Sequence, residues 1–104
     1  MEREFVIMPE FDRTWEELGL TDEELIKLEN EIGKNPKFGK VIPGTGGIRK
    51  IRFALKSKGK SGGIRVLYID IFVTEKIILL GAYPKNIKEN LSEAEKKVLK
   101  KITE

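Results

Sequence analysis

Residues Ile42 to Arg65 read IPGTGGIRKIRFALKSKGKSGGIR, and this stretch decides how the chain is understood. In Ile48 to Lys56, Ile51, Phe53 and Leu55 fall on one parity while Lys50, Arg52, Ala54 and Lys56 fall on the other. Side chains alternate across a strand, so the segment is a half-buried strand with a row of cations facing outward. Before it, Pro43-Gly44-Thr45-Gly46-Gly47 is a loop, because so many glycines cost too much backbone entropy for regular structure. After it, Ser57 to Gly63 is a flexible connection to a second long strand, Ile64 to Val73. Length and spacing make the two strands a hairpin.

Working toward the N-terminus, Glu2 to Met8 reads as a short strand, at an edge or buried on both faces, ended by Pro9. Phe11, Trp15 and Leu18 have helical spacing, with Gly19 closing the helix and both aromatics directed to the core. Thr21-Asp22-Glu23-Glu24 is a capping box that opens a second helix, with Leu25, Leu28 and Ile32 on its inner face and Gly33 and Asn35-Pro36 stopping it. Toward the C-terminus, Ile77 to Tyr83 is another apolar strand, ended by Pro84. Ser92-Glu93-Ala94-Glu95 caps a terminal helix expected to turn Val98, Leu99 and Ile102 inward. The expected order is β-α-α-β-β-β-α, an α+β layer fold in one domain spanning residues 1–104.

Charge is divided along the chain. Residues 1–31 hold eleven acids and three bases, residues 32–69 hold ten bases and no acid, and residues 70–104 hold seven bases and six acids. The net charge of +3 therefore conceals a strongly basic centre suited to phosphate backbones. A solvated basic surface in a Lys/Glu-rich, thermophile-type protein is the plainer reading. With no cysteine, disulfides and thiolate nucleophiles are excluded, and a cytoplasmic setting is expected. The longest apolar run is too short to cross a bilayer, and MEREF lacks the order of a signal peptide.

Several chemistries are excluded by residue type. Histidine is absent, so there is no Ser-His-Asp triad, and with cysteine also missing no zinc site or other metal is expected, nor any cofactor. Gly59-Lys60-Ser61 resembles the end of a phosphate loop, but Ala54 stands where the first glycine belongs and no helix follows. Asp22, Glu23 and Glu24 are explained as first-turn helix residues and not as a glycosidase pair. What remains is Lys50, Arg52, Arg65, Tyr83 and Lys85, which could converge over one patch of sheet. Such a set can cleave RNA without metal: a 2′-OH attacks the adjacent phosphate while cations stabilise the added charge. A lysine among cations can serve as base or acid, whereas arginine stays protonated and grips phosphate bidentately. Arg49, Lys56, Lys58 and Lys60 are candidates for RNA backbone binding; for the loop lysines, solvation is an equal alternative, and Arg49 could instead be an ion-pair partner.

The segment NPKFGKVIPGTGGIRKIRFALKSKGKSGGIRVLYID, followed by LLGAYPKNIKENLSEAEKKVLKK, closely resembles the RelE/ParE superfamily of type II toxins, in particular its HigB-like branch. The GTGG-x-RK-x-R block, the GGxR strand start and the Y-x-KN-x-K-x-x-L-S ending carry the resemblance, which extends from about Phe11 onward. It implies a RelE-like fold and a ribosome-dependent mRNA endonuclease neutralised by a cognate antitoxin. By the same resemblance Lys50 and Arg52 face the scissile phosphate, Arg65 clamps the transition state, and Tyr83 with Lys85 stands near the nucleophile or leaving group. Some HigB proteins use histidines and this chain has none, which leaves the acid and base open between Lys50, Tyr83 and Lys85. The implied partners are a HigA-like helix-turn-helix antitoxin, through which alone operator DNA is contacted, and the ribosome with its mRNA; the free toxin is expected to be a monomer. A ParE-like toxin directed at gyrase, or a degenerate partner acting only in antitoxin-mediated repression, is the alternative.

Overall fold

The computed structural model describes residues 3–54, 63–84 and 91–103. Within them the chain runs β1 (Glu4–Ile7), α1 (Pro9–Glu17), α2 (Asp22–Lys34), β2 (Lys40–Val41), β3 (Arg49–Phe53), β4 (Ile64–Ile71), β5 (Lys76–Pro84) and α3 (Glu93–Thr103). The strands form one sheet in the order β1-β5-β4-β3-β2. All pairings are antiparallel except β1 with β5. This is the expected α+β layer architecture with one strand more. The additional strand, β2, consists of two exposed residues, too short to leave a periodic signal. It pairs Lys40 with Lys50 and Val41 with Arg49, so the glycine loop is the connection of a β2–β3 hairpin.

Alternation along the strands divides the apolar residues between the two faces of the sheet. On one face Ile51, Phe53, Ile64, Val66, Tyr68, Ile77 and Leu79 pack against Phe11, Trp15, Leu28 and Ile32 of α1 and α2. Phe11 and Trp15 stack with ring centroids 5.3 Å apart. On the other face Ile42, Ile48, Leu67, Leu80 and Tyr83 form a smaller cluster to which α3 contributes Leu99. Both capping boxes form: Thr21 Oγ1 accepts from the Glu24 amide at 3.1 Å, and Ser92 Oγ accepts from the Glu95 amide at 3.2 Å. Each satisfies amides that the first turn of a helix would leave without partners.

Several details differ from expectation. Pro9 opens α1, because its fixed φ and missing N–H suit the first helical position. β4 stops at Ile71, and Phe72 begins a turn in which Glu75 takes a positive φ of 55°. On α3, Leu99 packs inward as expected, but Val98 and Ile102 are 61% and 53% exposed. A helix lying on the narrow smaller cluster contacts it along a single line, so neighbouring apolar positions remain outside.

The glycine loop is a tight turn held from within. Thr45, fully buried, donates through Oγ1 to the Ile42 carbonyl at 2.7 Å and accepts from the Ile48 amide at 3.2 Å. Gly46 has φ +79°, and a side chain there would run into Thr103. Thr103 Oγ1 also donates to the Thr45 carbonyl at 2.9 Å, fastening the end of α3 to the loop.

Candidate active site on the cationic sheet face

The register of the three central strands assembles the site. Arg52 is opposite Arg65, and Arg65 is opposite Tyr83, so the three side chains form one row across β3, β4 and β5. Paired residues share a face and neighbouring strands lie about 4.8 Å apart, so the row spans roughly 10 Å. Lys50 is two residues from Arg52 on the same face, and its partner across the edge is Lys40. A groove of about 520 Å³ runs over this face, lined by Phe38, Lys40, Lys50, Arg52 and Arg65 among others. Lys40 belongs to the constellation although the sequence reading passed over it; its only signal was membership of the acid-free stretch.

Tyr83 reaches the row through an irregularity. Leu67 pairs with Gly81 and Tyr68 with Leu79, so Leu80 is an extra residue on β5. Ile77 and Leu79 face the larger core, and strict alternation would send Tyr83 there too. The bulge reverses the parity, and Tyr83 joins Leu80 and Leu67 on the other face.

Exposure grades the row. Arg52 is exposed and Lys50 half-buried, whereas Arg65 is only 4% and Tyr83 8% exposed. Arg65 Nη1 and the Tyr83 hydroxyl oxygen are both shut off from solvent. A phosphate entering the groove would therefore meet Lys40, Lys50 and Arg52 first and Arg65 at its floor. Placing Arg52 opposite Arg65 and Lys40 opposite Lys50 sets like charges side by side, an arrangement that costs stability and concentrates positive potential.

Arg49 is on the opposite parity and does not join this face. Its Nη1 donates to the carbonyls of Lys37 at 3.0 Å and Gly39 at 2.7 Å. In place of the carboxylate that an ion pair would supply, Arg49 clamps two neutral backbone carbonyls. Tyr68, fully buried, holds the same turn: its hydroxyl donates to the Pro36 carbonyl at 2.8 Å and accepts from the Gly39 amide at 3.0 Å. Burial pushes the Tyr68 phenol upward, partly opposed by the Gly39 amide and Arg49. Gly39 is required by this closeness, since a Cβ would come within 2.7 Å of Ile51 Cγ2 and 2.8 Å of the Tyr68 hydroxyl. Lys56, Lys58, Lys60 and Lys85 lie outside the described residues. Among the described residues there is no group of three or more carboxylates able to hold a metal ion, and no helix long and apolar enough to cross a membrane.

Residues 7–104 match the family of the RelE toxin of the RelE/RelB toxin–antitoxin system. The chain belongs to the RelE toxin family. Two solved structures are similar to it. One is a double-arginine mutant of the E. coli toxin RelE in the free state, at TM-score 0.61 and 19% identity over 86% of this chain and 90% of that one. The other is the isolated E. coli RelE toxin, at TM-score 0.57 and 21% identity over 96% of this chain and 98% of that one. At these identities the structures establish the RelE fold, and the family match establishes a toxin of a toxin–antitoxin system, which implies an antitoxin partner.

Proposed function

We propose that this RelE-family toxin is a ribosome-dependent mRNA endonuclease of the HigB-like branch, acting in the cytoplasm at the row formed by Arg52, Arg65 and Tyr83 with Lys50 beside it. The observation that carries the reading is the register that puts these four side chains on one face, with Lys50, Arg52 and Arg65 lining the groove of about 520 Å³. In the proposed reaction the 2′-OH of one nucleotide attacks the adjacent phosphorus, its proton passes to Lys50, and the P–O5′ bond breaks to leave a 2′,3′-cyclic phosphate. The departing 5′-oxygen takes up a proton from Tyr83 or Lys85. Arg52 and Arg65 hold the non-bridging oxygens, whose charge grows in the transition state; fixed donors aimed at developing charge are commonly among the largest contributions to such catalysis. Lys56, Lys58 and Lys60 are proposed to grip ribosomal RNA, so binding weakens steeply with salt. The proposed inhibitor is a HigA-like helix-turn-helix antitoxin that carries the operator contacts, and the free toxin is proposed to be a monomer.

Primer extension on messages from cells expressing the protein tests this reading. Codon-phased cleavage that disappears in Arg52→Ala supports it; Arg52 is exposed, so that variant retains the fold. Intact messages accompanied by DNA damage would instead indicate a ParE-like action on gyrase.

A further inference from the structure

Phe38 is 74% exposed at the lip of the cationic groove. Single exposed apolar residues are ordinary, but this one is held unusually firmly. Its own amide donates to the Asn35 carbonyl at 2.9 Å. The residue before it and the residue after it are fixed by Arg49, and Gly39 is fixed again by the Tyr68 hydroxyl. Four hydrogen bonds therefore hold a short turn whose aromatic side chain faces solvent. The other exposed aromatic among the described residues, Phe72, has the Arg3 guanidinium over its ring, 5.5 Å from the centroid. Phe38 instead borders the groove that contains Lys40, Lys50, Arg52 and Arg65.

An aromatic face beside a cationic track is the arrangement by which proteins hold single-stranded nucleic acid, the cations taking the phosphates and the ring taking a base. We propose that Phe38 is a substrate-positioning residue that stacks on a nucleobase of single-stranded RNA while Lys40, Lys50 and Arg52 hold the neighbouring phosphates. The inference rests on the nuclease reading for its biological setting but concerns a separate contact. Because every base has a π-face, the stack confers grip and orientation with little sequence choice. The clamped turn lowers the cost of ordering the ring when RNA arrives, since its backbone is already fixed.

The test uses the whole toxin and fluorescein-labelled oligoadenylate and oligouridylate of twelve nucleotides, with binding followed by anisotropy across a salt series. Phe38→Leu is expected to weaken binding about tenfold without changing the slope of affinity against salt, as stacking is worth roughly 1–3 kcal/mol per base and no charge is removed. Arg52→Gln should lower that slope. Phe38→Trp should retain affinity, and its fluorescence should be quenched by RNA; Trp15 is buried and supplies a constant background. The proposal is overturned if the wild-type toxin binds neither oligonucleotide, if Phe38→Leu binds within twofold of wild type, or if Phe38→Trp fluorescence is unchanged at saturating RNA. Ribosomal cleavage is scored separately. A wild-type toxin that leaves mRNA intact refutes the nuclease reading alone, whereas active wild type with an indifferent Phe38→Leu refutes the stack alone.

Discussion

Replacing Tyr68 by Phe removes one oxygen atom and, with it, the two hydrogen bonds that fix the turn at residues 36–39. The Gly39 amide loses its acceptor at 3.0 Å and the Pro36 carbonyl loses its donor at 2.8 Å. The ring is fully buried, so its apolar packing is retained and the cost falls on the two backbone groups. Leaving a buried donor or acceptor unsatisfied costs about 1–3 kcal/mol, which puts the loss at roughly 2 kcal/mol. For a domain of this size that corresponds to a fall of about 8–16 °C in Tm. Urea unfolding followed by tryptophan fluorescence measures it directly. Arg49→Met supplies the partner test, because Arg49 holds the same turn through the Lys37 and Gly39 carbonyls. If both side chains secure one structural unit, the double variant loses less than the two single losses added, by about 0.5–1 kcal/mol. A loss below about 0.5 kcal/mol in Tyr68→Phe, or strict additivity with Arg49→Met, would refute the clamp. The variant also has a pH signature. Burial holds the Tyr68 phenol above its ordinary value, so the folded state keeps a proton that the unfolded state gives up once the pH passes about 10. The parent therefore loses stability through that window, and Tyr68→Phe escapes that part of the loss.

Other expectations follow from the same geometry. Arg52→Gln removes the like-charge pair with Arg65 and should stabilise the fold by about 0.2–1 kcal/mol in thermal unfolding while abolishing the proposed cleavage; a destabilised variant would show that the two arginines do not repel. Gly39→Ala should cost about 1–3 kcal/mol, because the new methyl meets Ile51 and the buried Tyr68 ring and not a movable surface group; wild-type stability on denaturant titration would contradict it. Burial holds the Glu29 carboxyl above the usual carboxylate range. The folded state then binds more protons than the unfolded state between the two pKa values, so stability falls as pH rises through that window. Glu29→Gln should accordingly be more stable than the parent at pH 7, with the advantage vanishing on acidification below about pH 4; a pH-independent difference would exclude this origin.

Local signals in this chain were legible because they depend on neighbours in sequence. The capping boxes at Thr21 and Ser92 formed, since a capping side chain reaches only three residues along the chain. Alternation in β3 put Ile51 and Phe53 in the core and left Lys50 and Arg52 facing outward, because the period of a strand does not depend on its partners. Val98 and Ile102 were placed inward by helical spacing, but which apolar positions are covered depends on how wide a surface the helix meets.

By itself, then, the sequence determined an α+β fold, the boundaries set by caps, and a cationic strand face, all consequences of short-range periodicity and charge. Tertiary structure decided how the candidate site is assembled. A two-residue edge strand brings Lys40 opposite Lys50, an extra residue at Leu80 turns Tyr83 onto the row of Arg52 and Arg65, and long-range clamps from Tyr68 and Arg49 set Phe38 at the lip of the groove. Each depends on which residues face one another across separate strands, and register of that kind is fixed only when the sheet closes.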